Sequence, residues 1–425
     1  MSKAAPRARN GFVGAVDIGS TKVCCFIAEA GEPRIAGIGH QVSKGVRNGV
    51  IVDIEAASAS ILNAVHAAEE MAGATLNEVV INLSGGFGAS RLVKAELGLN
   101  GREVSDALMH RVLDHGYRIK DLPDRTVIHS VPVGFSIDGG RSVRDPRGLF
   151  GQKLAVNMNI VTAKFGAVRN LSNCIGRCHL ETAAVVVSPY ASGLSSLVND
   201  ESELGVTVID MGGGTTTIGV FFDGNLVFAD CVPVGGIHAT NDIARGLSTP
   251  IVHAERMKTL YGNAIASASD EREMITVPLV GEEEEGLANH VPKSLLVGII
   301  APRLEETFEL VRDRLEASGF DKITGRRVVL TGGASQLPGA RELAGLILDK
   351  QVRVGRPLHI EGLAEATQGP AFATTAGLIH FALSERAETP RRRHPRQACA
   401  RSRDRRMDRR RHQAPNHPCR QKVAS

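Results

Sequence analysis

The sequence predicts an α/β fold with a divided phosphate-binding site and a small α+β module set into it. Three observations carry this reading. Strand-like and helix-like segments alternate along most of the 425 residues, the pattern of helices flanking sheets. A buried-type strand twice runs into an acid and a glycine turn and then resumes, in "AVDIGSTKVCCFI" (15–27) and "IDMGGGTTTIGV" (209–220). Between the two, residues 84–162 change character and carry apolar–polar alternation around one short helix.

Taken in order, residues 1–11 read as a disordered leader, and "FVGAVDIG", "KVCCFIAEA" and "RIAGIGHQVSKG" read as three consecutive strands. Residues 52–73 form a helix capped by Asp53, with Ile61, Leu62, Val65, Ala68 and Met71 on one stripe. A strand returns at 78–86. In the module, Ser105 caps a helix, and "RTVIHSVPVGFSIDG" and "QKLAVNMNIVTA" are half-buried strands joined through the turn-rich "DPRGLFG". Helix, strand and helix follow at 164–180, 182–189 and 190–198, then the second hairpin at 205–222 and a further strand at 225–236. A helical region spans His238 to about Tyr261. "GEEEEG" (281–286) is a solvated acidic link. The amphipathic helix 294–320 carries Pro302, which predicts a kink or a break. Strand 326–333, helix 337–349 and a closing segment 369–383 complete the fold.

Composition narrows the class. Hydrophobic residues make up 43% and charged residues 23% of the chain, ordinary for a globular protein. No apolar run reaches the ~18 residues that a membrane span needs. Seven cysteines in no regular frame and no secretory apolar segment near Met1 point to a reducing cytoplasm. "CIGRCH" (174–179) separates its cysteines by three residues, not the two that haem attachment requires, so packing within a helix is the plainer reading. Residues 385–425 hold 14 Lys and Arg against four Asp and Glu, so against a whole-chain charge of +4 the other 384 residues carry about −6.

The chemistry lies at the glycines. There is no G-x-x-x-x-G-K-[ST] and no G-x-G-x-x-G. The two hairpins offer another way to hold a nucleotide. Gly19, Gly212, Gly213 and Gly214 let backbone N–H groups approach phosphate oxygens with no Cβ in the way. Ser20, Thr21, Thr215 and Thr216 bring hydroxyl donors. Asp17 and Asp210 are placed to hold Mg²⁺, through its waters, because Mg²⁺ dehydrates reluctantly. Lys22 reaches a phosphate as a point charge. A third glycine turn, "LTGGASQLPG" (330–339), ends a strand, enters a helix and can seat the adenosine.

Phosphate hairpin, connecting segment, second hairpin, adenosine loop and closing helix is the order of the actin, Hsp70 and sugar-kinase superfamily, which this chain resembles over nearly all of residues 12–384. "TAAVVVSPYASG" and "AFATTAGL" look like its two interdomain connecting segments. Within it the chain is most similar to the FtsA family of bacterial cell-division proteins. The carrying motifs are "DIGSTKV", "INLSGG", "DPRGLFGQKL", "VIDMGGGTTTIGVF", "HAERMKTLYG", "IIAPRLEETFELV" and "VLTGGASQLPG", together with the insertion. The resemblance implies an actin-like two-lobed ATPase fold: 12–83 with 163–195 as the first lobe, 196–245 with 326–368 as the second, 246–325 as an upper subdomain, and 369–384 returning to the first lobe. Carried over, Glu255 and Lys258 contact the adenosine, Gly236 lies near the nucleotide, and Gly332, Gly333, Ala334 and Gln336 line its base side. The cofactors are then ATP and Mg²⁺.

The resemblance further implies ATP-dependent filaments of the chain with itself at the cytoplasmic face of the inner membrane, at the division site. The upper subdomain docks the FtsZ C-terminal peptide, and the module 84–162 contacts neighbouring subunits and later divisome proteins. No specific nucleic-acid partner is implied. At most a slow ATPase is expected, because the first connecting segment has no acid or amide after Glu181 and Thr182 and places Ser188 where several relatives have Glu. The module is expected to be separable, its removal sparing the nucleotide site. Two other readings stay open. One is a sugar-kinase-like phosphotransferase, for which no unassigned strand-end acid supplies the base. The other is a pilus-assembly scaffold of the PilM type, which shares the module. The tail departs from the family: from Glu385 to Ser425 there is no Leu, Ile, Phe, Trp or Tyr. It therefore encodes no amphipathic membrane helix of the family kind. It reads either as a basic segment attracted to anionic surfaces or as an out-of-frame end, which the abrupt compositional jump near Pro390 favours.

Overall fold

The computed structural model describes residues 11–31, 34–117, 124–281, 289–322, 325–358 and 360–384. The tail, most of the leader and most of "GEEEEG" lie outside the described residues. All described elements belong to one compact unit that ends at Thr389.

Two five-stranded sheets share one plan. In the first, Phe12–Ile18, Lys22–Glu29 and Ile35–Val42 form an antiparallel meander. Glu78–Leu83 then pairs parallel with the first of these, and Glu181–Val187 pairs parallel with Glu78–Leu83. In the second, Val206–Met211, Thr216–Phe222 and Asn225–Val232 form the meander, and Arg327–Thr331 and Gln351–Val354 add the two parallel strands. The strand order is the same in both, so each sheet starts with one of the two acid hairpins. These strands are buried on both faces and read as continuous apolar runs, as the inner strands of covered sheets do.

Two short helices, Ser188–Ser196 and Ala373–Leu383, lie between the sheets. They cross at backbone distance: a Cβ on Gly377 would stand 1.7 Å from the Ala191 carbonyl oxygen. The first core joins the first sheet, both crossing helices and one face of the second sheet, including Val206, Val208 and Val329. The second core lies on the opposite face, where Ile209, Met211, Ile218 and Leu330 meet the helices Gly236–Gly246, Lys293–Ser318 and Ala340–Leu348.

The inserted module is a three-stranded antiparallel sheet, Arg91–Gly98, Lys153–Lys164 and Arg125–Ile137, under the helix Asp106–Tyr117. It has its own small core of Leu99, Val104, Val112, Leu154, Val156 and Met158. Its long strands do not stop there. Val161 and Ala163 belong to the first core, and His129 Nε2 accepts the N–H of Val187 at 3.0 Å. The module also bonds to the outer strand of the second sheet. Ser90 N–H donates to Ala229 O at 2.8 Å, Ala229 N–H donates back to Ser90 Oγ at 2.9 Å, and Asn159 Nδ2 donates to Leu226 O at 2.9 Å.

Three sequence expectations need correction. Helix Ile54–Ala72 is capped by Asp53 as expected, its carboxylate accepting from Glu55 N and Ala56 N. However, Leu62 and Met71 are exposed, and the buried face is Ala57, Ser60, Ile61, Ala64, Val65 and Ala68. The meander lies so close that a Cβ on Gly37 or Gly39 would strike the helix carbonyls of Ala68 or Ala64; small residues make that contact, and the larger Leu and Met turn outward. Pro302 does not break its helix, which runs unbroken from Lys293 to Ser318; Leu296, Ile300, Leu304, Phe308, Val311 and Leu315 hold both halves in one core. Arg91–Gly98 is a strand the sequence did not announce, because most of its residues are exposed or half-buried and four are charged or glycine.

Candidate functional site

The two acid hairpins are built alike. Asp17 pairs with Cys24 and Asp210 with Thr217, each seven residues on. Gly19 N–H donates to Lys22 O at 3.0 Å, and at the same offset Gly212 N–H donates to Thr215 O at 2.8 Å. The hairpins face each other. A Cβ on Gly213 would lie 2.4 Å from Thr21 Cγ2, and one on Gly214 would lie 2.5 Å from Ser20 Oγ. A Cβ at either position would force the facing side chain to move. The turn Asn48–Gly49 joins them: Gly49 N–H donates to Ser20 Oγ at 3.1 Å, and the Asn48 backbone lies 2.9 Å from the Gly214 Cβ position.

Each acid is buried and held by hydroxyls. Asp210 Oδ2 accepts from Ser192 Oγ at 2.5 Å and from Thr374 Oγ1 at 2.8 Å, one from each crossing helix. Asp17 Oδ2 accepts from Thr375 Oγ1 at 3.3 Å, and its Oδ1 accepts from Asn82 Nδ2 at 2.6 Å. Asn82 Oδ1 in turn accepts Ile18 N–H at 2.7 Å. Burial pushes the Asp17 carboxyl up to about 6, helped by the Asp210 charge and opposed by Lys22 and the Thr375 hydroxyl. Burial also raises Asp210, against the Ser192 and Thr374 hydroxyls. Lys22 is pulled down by burial, with Cys24, Asp17 and Asp210 opposing; its ammonium donates to Ala371 O at 2.5 Å and stands 3.3 Å over the Phe372 ring.

The residues expected on the adenosine side also converge. Gly236 opens its helix with N–H to Gly212 O at 3.0 Å, and Ile237 N–H donates to Gly213 O at 2.8 Å. Lys258 Nζ donates to Gly236 O at 3.1 Å and to Glu255 Oε2 at 2.7 Å. A Cβ on Gly236 would lie 3.2 Å from Ala334 Cβ. Gly332 takes φ +85°, and a Cβ there would stand 2.4 Å from Asp210 Oδ1, so the third glycine turn closes directly on the second acid. Gly333 and Gln336 are exposed, with Gln336 Nε2 donating to Gly333 O at 3.4 Å. Thr215 is buried beside the turn. Thr216 is fully buried and its hydroxyl is committed to Val234 O at 2.8 Å.

Two strand-end carboxylates, a facing lysine and glycine turns that a Cβ would obstruct fit a nucleotide phosphate chain with Mg²⁺. The donor set is right for it: oxygen ligands that a hydrated Mg²⁺ accepts, with backbone amides for the anion. Sequence reading missed Asn82, Ser192, Thr374, Thr375 and the Asn48–Gly49 turn. The hydroxyls sit in small-residue helices, where Ser and Thr look like filler. The available signal was their position in the two connecting segments. Cys174 and Cys178 pack on helix Ile54–Ala72, with Cys178 Sγ 3.3 Å from Ser58 O.

Comparison with known proteins bears on this geometry. Residues 207–377 match the family profile "Cell division protein FtsA", and residues 88–162 match "SHS2 domain inserted in FTSA". The chain is 47% identical over 393 residues to the cell division protein FtsA of Rhizobium meliloti (strain 1021), covering 89% of each. It is 30% identical to that of Escherichia coli (strain K12), covering 87% of this chain and 90% of the relative. Among solved structures, the PilM-PilN type IV pilus biogenesis complex is similar at TM-score 0.61 and 17% identity, over 88% of this chain and 98% of that one. MreB5 of Spiroplasma citri bound to ADP is similar at TM-score 0.53 and 13% identity, over 88% and 96%. At those identities the structures speak for an actin-like fold alone.

Proposed function

The chain belongs to the FtsA family of cell division proteins, and from that premise we propose that it is an ATP-binding filament protein that tethers the FtsZ ring to the cytoplasmic face of the inner membrane and recruits later divisome proteins. The observation that carries the nucleotide reading is the pair of matched hairpins. They face each other with one buried acid each, and residues far apart in sequence converge on them. Asp17 and Asp210 would hold Mg²⁺ through its waters, and the ion would supply positive charge to offset that of the phosphates. The protein's own groups do the rest. Gly19 and Gly212–Gly214 bring backbone to the phosphates, Ser20, Thr21 and Thr215 offer hydroxyls, and Lys22 adds a positive charge. Gly236, Glu255, Lys258, Gly332, Gly333, Ala334 and Gln336 enclose the adenosine.

Hydrolysis is slow on this reading. Residues 183–193 contain no Asp, Glu, Asn or Gln to orient an attacking water, and loss of such a group costs orders of magnitude in rate. The FtsZ C-terminal peptide docks on the upper subdomain, 246–325, and subunits stack head to tail, a contact that does not close on itself. Titration calorimetry of ATP with Mg²⁺ tests the first step. Wild type should bind, Asp210→Ala should lose retention, and turnover of many ATP per second would overturn the reading. Pelleting with ATP on anionic vesicles, with FtsZ tail peptide added, tests the assembly and tethering steps.

A further inference from the structure

Beside Asp17 lies a polar cluster that the hairpins do not account for. Asn82 Nδ2 lies within bonding distance of three acceptors: Asp17 Oδ1 at 2.6 Å, Ser84 Oγ at 2.9 Å and Ser188 Oγ at 3.2 Å. Ser84 Oγ and Ser188 Oγ are themselves 2.9 Å apart. Asn82 and Ser188 are almost wholly buried, at 2% and 3% exposure, while Ser84 is half-buried.

The protons do not balance inside this cluster. The amide has two and each hydroxyl one, four in all. The amide can use both of its own, and the serine–serine contact uses one hydroxyl proton. One hydroxyl proton is left with no acceptor in the cluster. The geometry decides which. Ser188 is sealed in at the start of its helix, so its proton goes to Ser84. Ser84 then accepts from Ser188 and from Asn82 and has its own proton free to point outward.

The position of Ser84 says what an outward proton meets. It ends a strand that runs parallel to the Asp17 strand, and ligands of such sheets gather at the carboxyl ends of the strands. The Ser84–Gly85 backbone packs on Asn48–Gly49: a Cβ on Gly49 would lie 2.6 Å from Gly85 N and 2.8 Å from Ser84 C. That same turn touches Ser20 of one hairpin and Gly214 of the other. Ser84 therefore stands where both hairpins, Asp17 and the first connecting helix meet. The residues expected to face the adenosine, Lys258 and Ala334, gather instead at Gly236, whose N–H donates to Gly212 O.

We propose that Ser84, oriented by Asn82 and Ser188, recognises the terminal phosphate of a nucleoside triphosphate and so distinguishes ATP from ADP. Ser84 is the contact. Asn82 and Ser188 are positioning residues that direct its proton. The inference rests on the nucleotide reading above and names the group of that site which reads the third phosphate.

Titrations of ATP and of ADP, each with Mg²⁺, into the full chain test it. Ser84→Ala should weaken ATP about tenfold, equivalent to about 1.4 kcal/mol, and leave ADP unchanged. Ser84→Thr keeps the hydroxyl and should retain most of the preference. Ser188→Ala should lower the ATP-to-ADP ratio by a smaller factor, since Ser84 still accepts from Asn82. Parallel thermal melts without nucleotide check that the variants fold. If Ser84→Ala folds and weakens both nucleotides alike, or neither, the proposal is overturned while ATP binding stands. If wild type binds neither nucleotide, the underlying site reading fails instead.

Discussion

At the residue scale, two buried acids lie near one another, each within reach of the Lys22 charge, and burial works against their own charge. Asp17 moves from an ordinary value near 3.8 up to about 6. The sign follows from proton counting. Between about pH 4 and 6 the folded protein holds a proton at Asp17 that the unfolded chain has released, so this group's contribution to stability is present below that window and declines as pH rises through it. Asp210 shifts in the same direction and adds in the same sense. In the presence of a chelator, melting temperature should therefore carry a falling component between pH 4 and 6.5. Asp17→Asn should flatten that component and raise the melting temperature at pH 7. A rise of stability with pH in the wild type, absent in Asp17→Asn, would contradict the burial argument. The two acids were legible in the sequence because each ends an apolar strand and is followed by glycine. Their hydroxyl partners were not, because Ser192, Thr374 and Thr375 reach the acids only through the crossing of two helices from distant parts of the chain, which meet for example at Ser195 and Ala373, 178 residues apart.

At the element scale, that crossing is a close backbone joint. Gly377 lies against the Ala191 backbone, and neither helix can yield without moving an acid's hydroxyl partner. Gly377→Val should destabilise by about 3 kcal/mol or more, as overpacking at a backbone contact does, and should weaken nucleotide binding with it. A change within 0.5 kcal/mol, measured by chemical denaturation, would show that the joint has slack. The module shows the opposite lesson. Its composition reads as a separate unit and part of it has a separate core. Yet Val161 and Ala163 pack in the first core and His129 accepts the Val187 N–H. Deleting 84–162 also removes Ser84 from the Asn82 cluster. The expected separability therefore gives way: the deletion should lower thermal stability markedly and weaken nucleotide binding. His129→Ala alone should cost about 1–3 kcal/mol by stranding a buried N–H. Strand alternation showed that the module's strands were half-buried; it could not show that their buried positions belong to two different cores.

At the scale of the whole molecule, the same sheet is built twice, and each copy contributes one acid, one glycine turn and one crossing helix's worth of hydroxyls. The sequence carried the echo of the hairpins but not the shared strand order, because the parallel strands of the two sheets are separated from their hairpins by unlike lengths of chain: 206 to 327 in one case, 12 to 78 in the other. On the proposed nucleotide reading ATP draws the two copies together, and the amide of Ala229, bonded to Ser90, is then a native reporter. Its hydrogen exchange should slow when ATP and Mg²⁺ are added; an unchanged rate under saturating ATP would mean that closure does not reach the module. Those bonds at Ser90, Ala229, Asn159 and Leu226 also have a mechanical side. The module is covalently part of one lobe and fastened to the outer strand of the other, so a force applied to it passes in part through these bonds between the lobes. On the proposed reading as a nucleotide-binding filament protein, tension on the module and occupancy of the nucleotide site would be two inputs to one displacement, and load on a subunit would be felt in how tightly it grips its nucleotide.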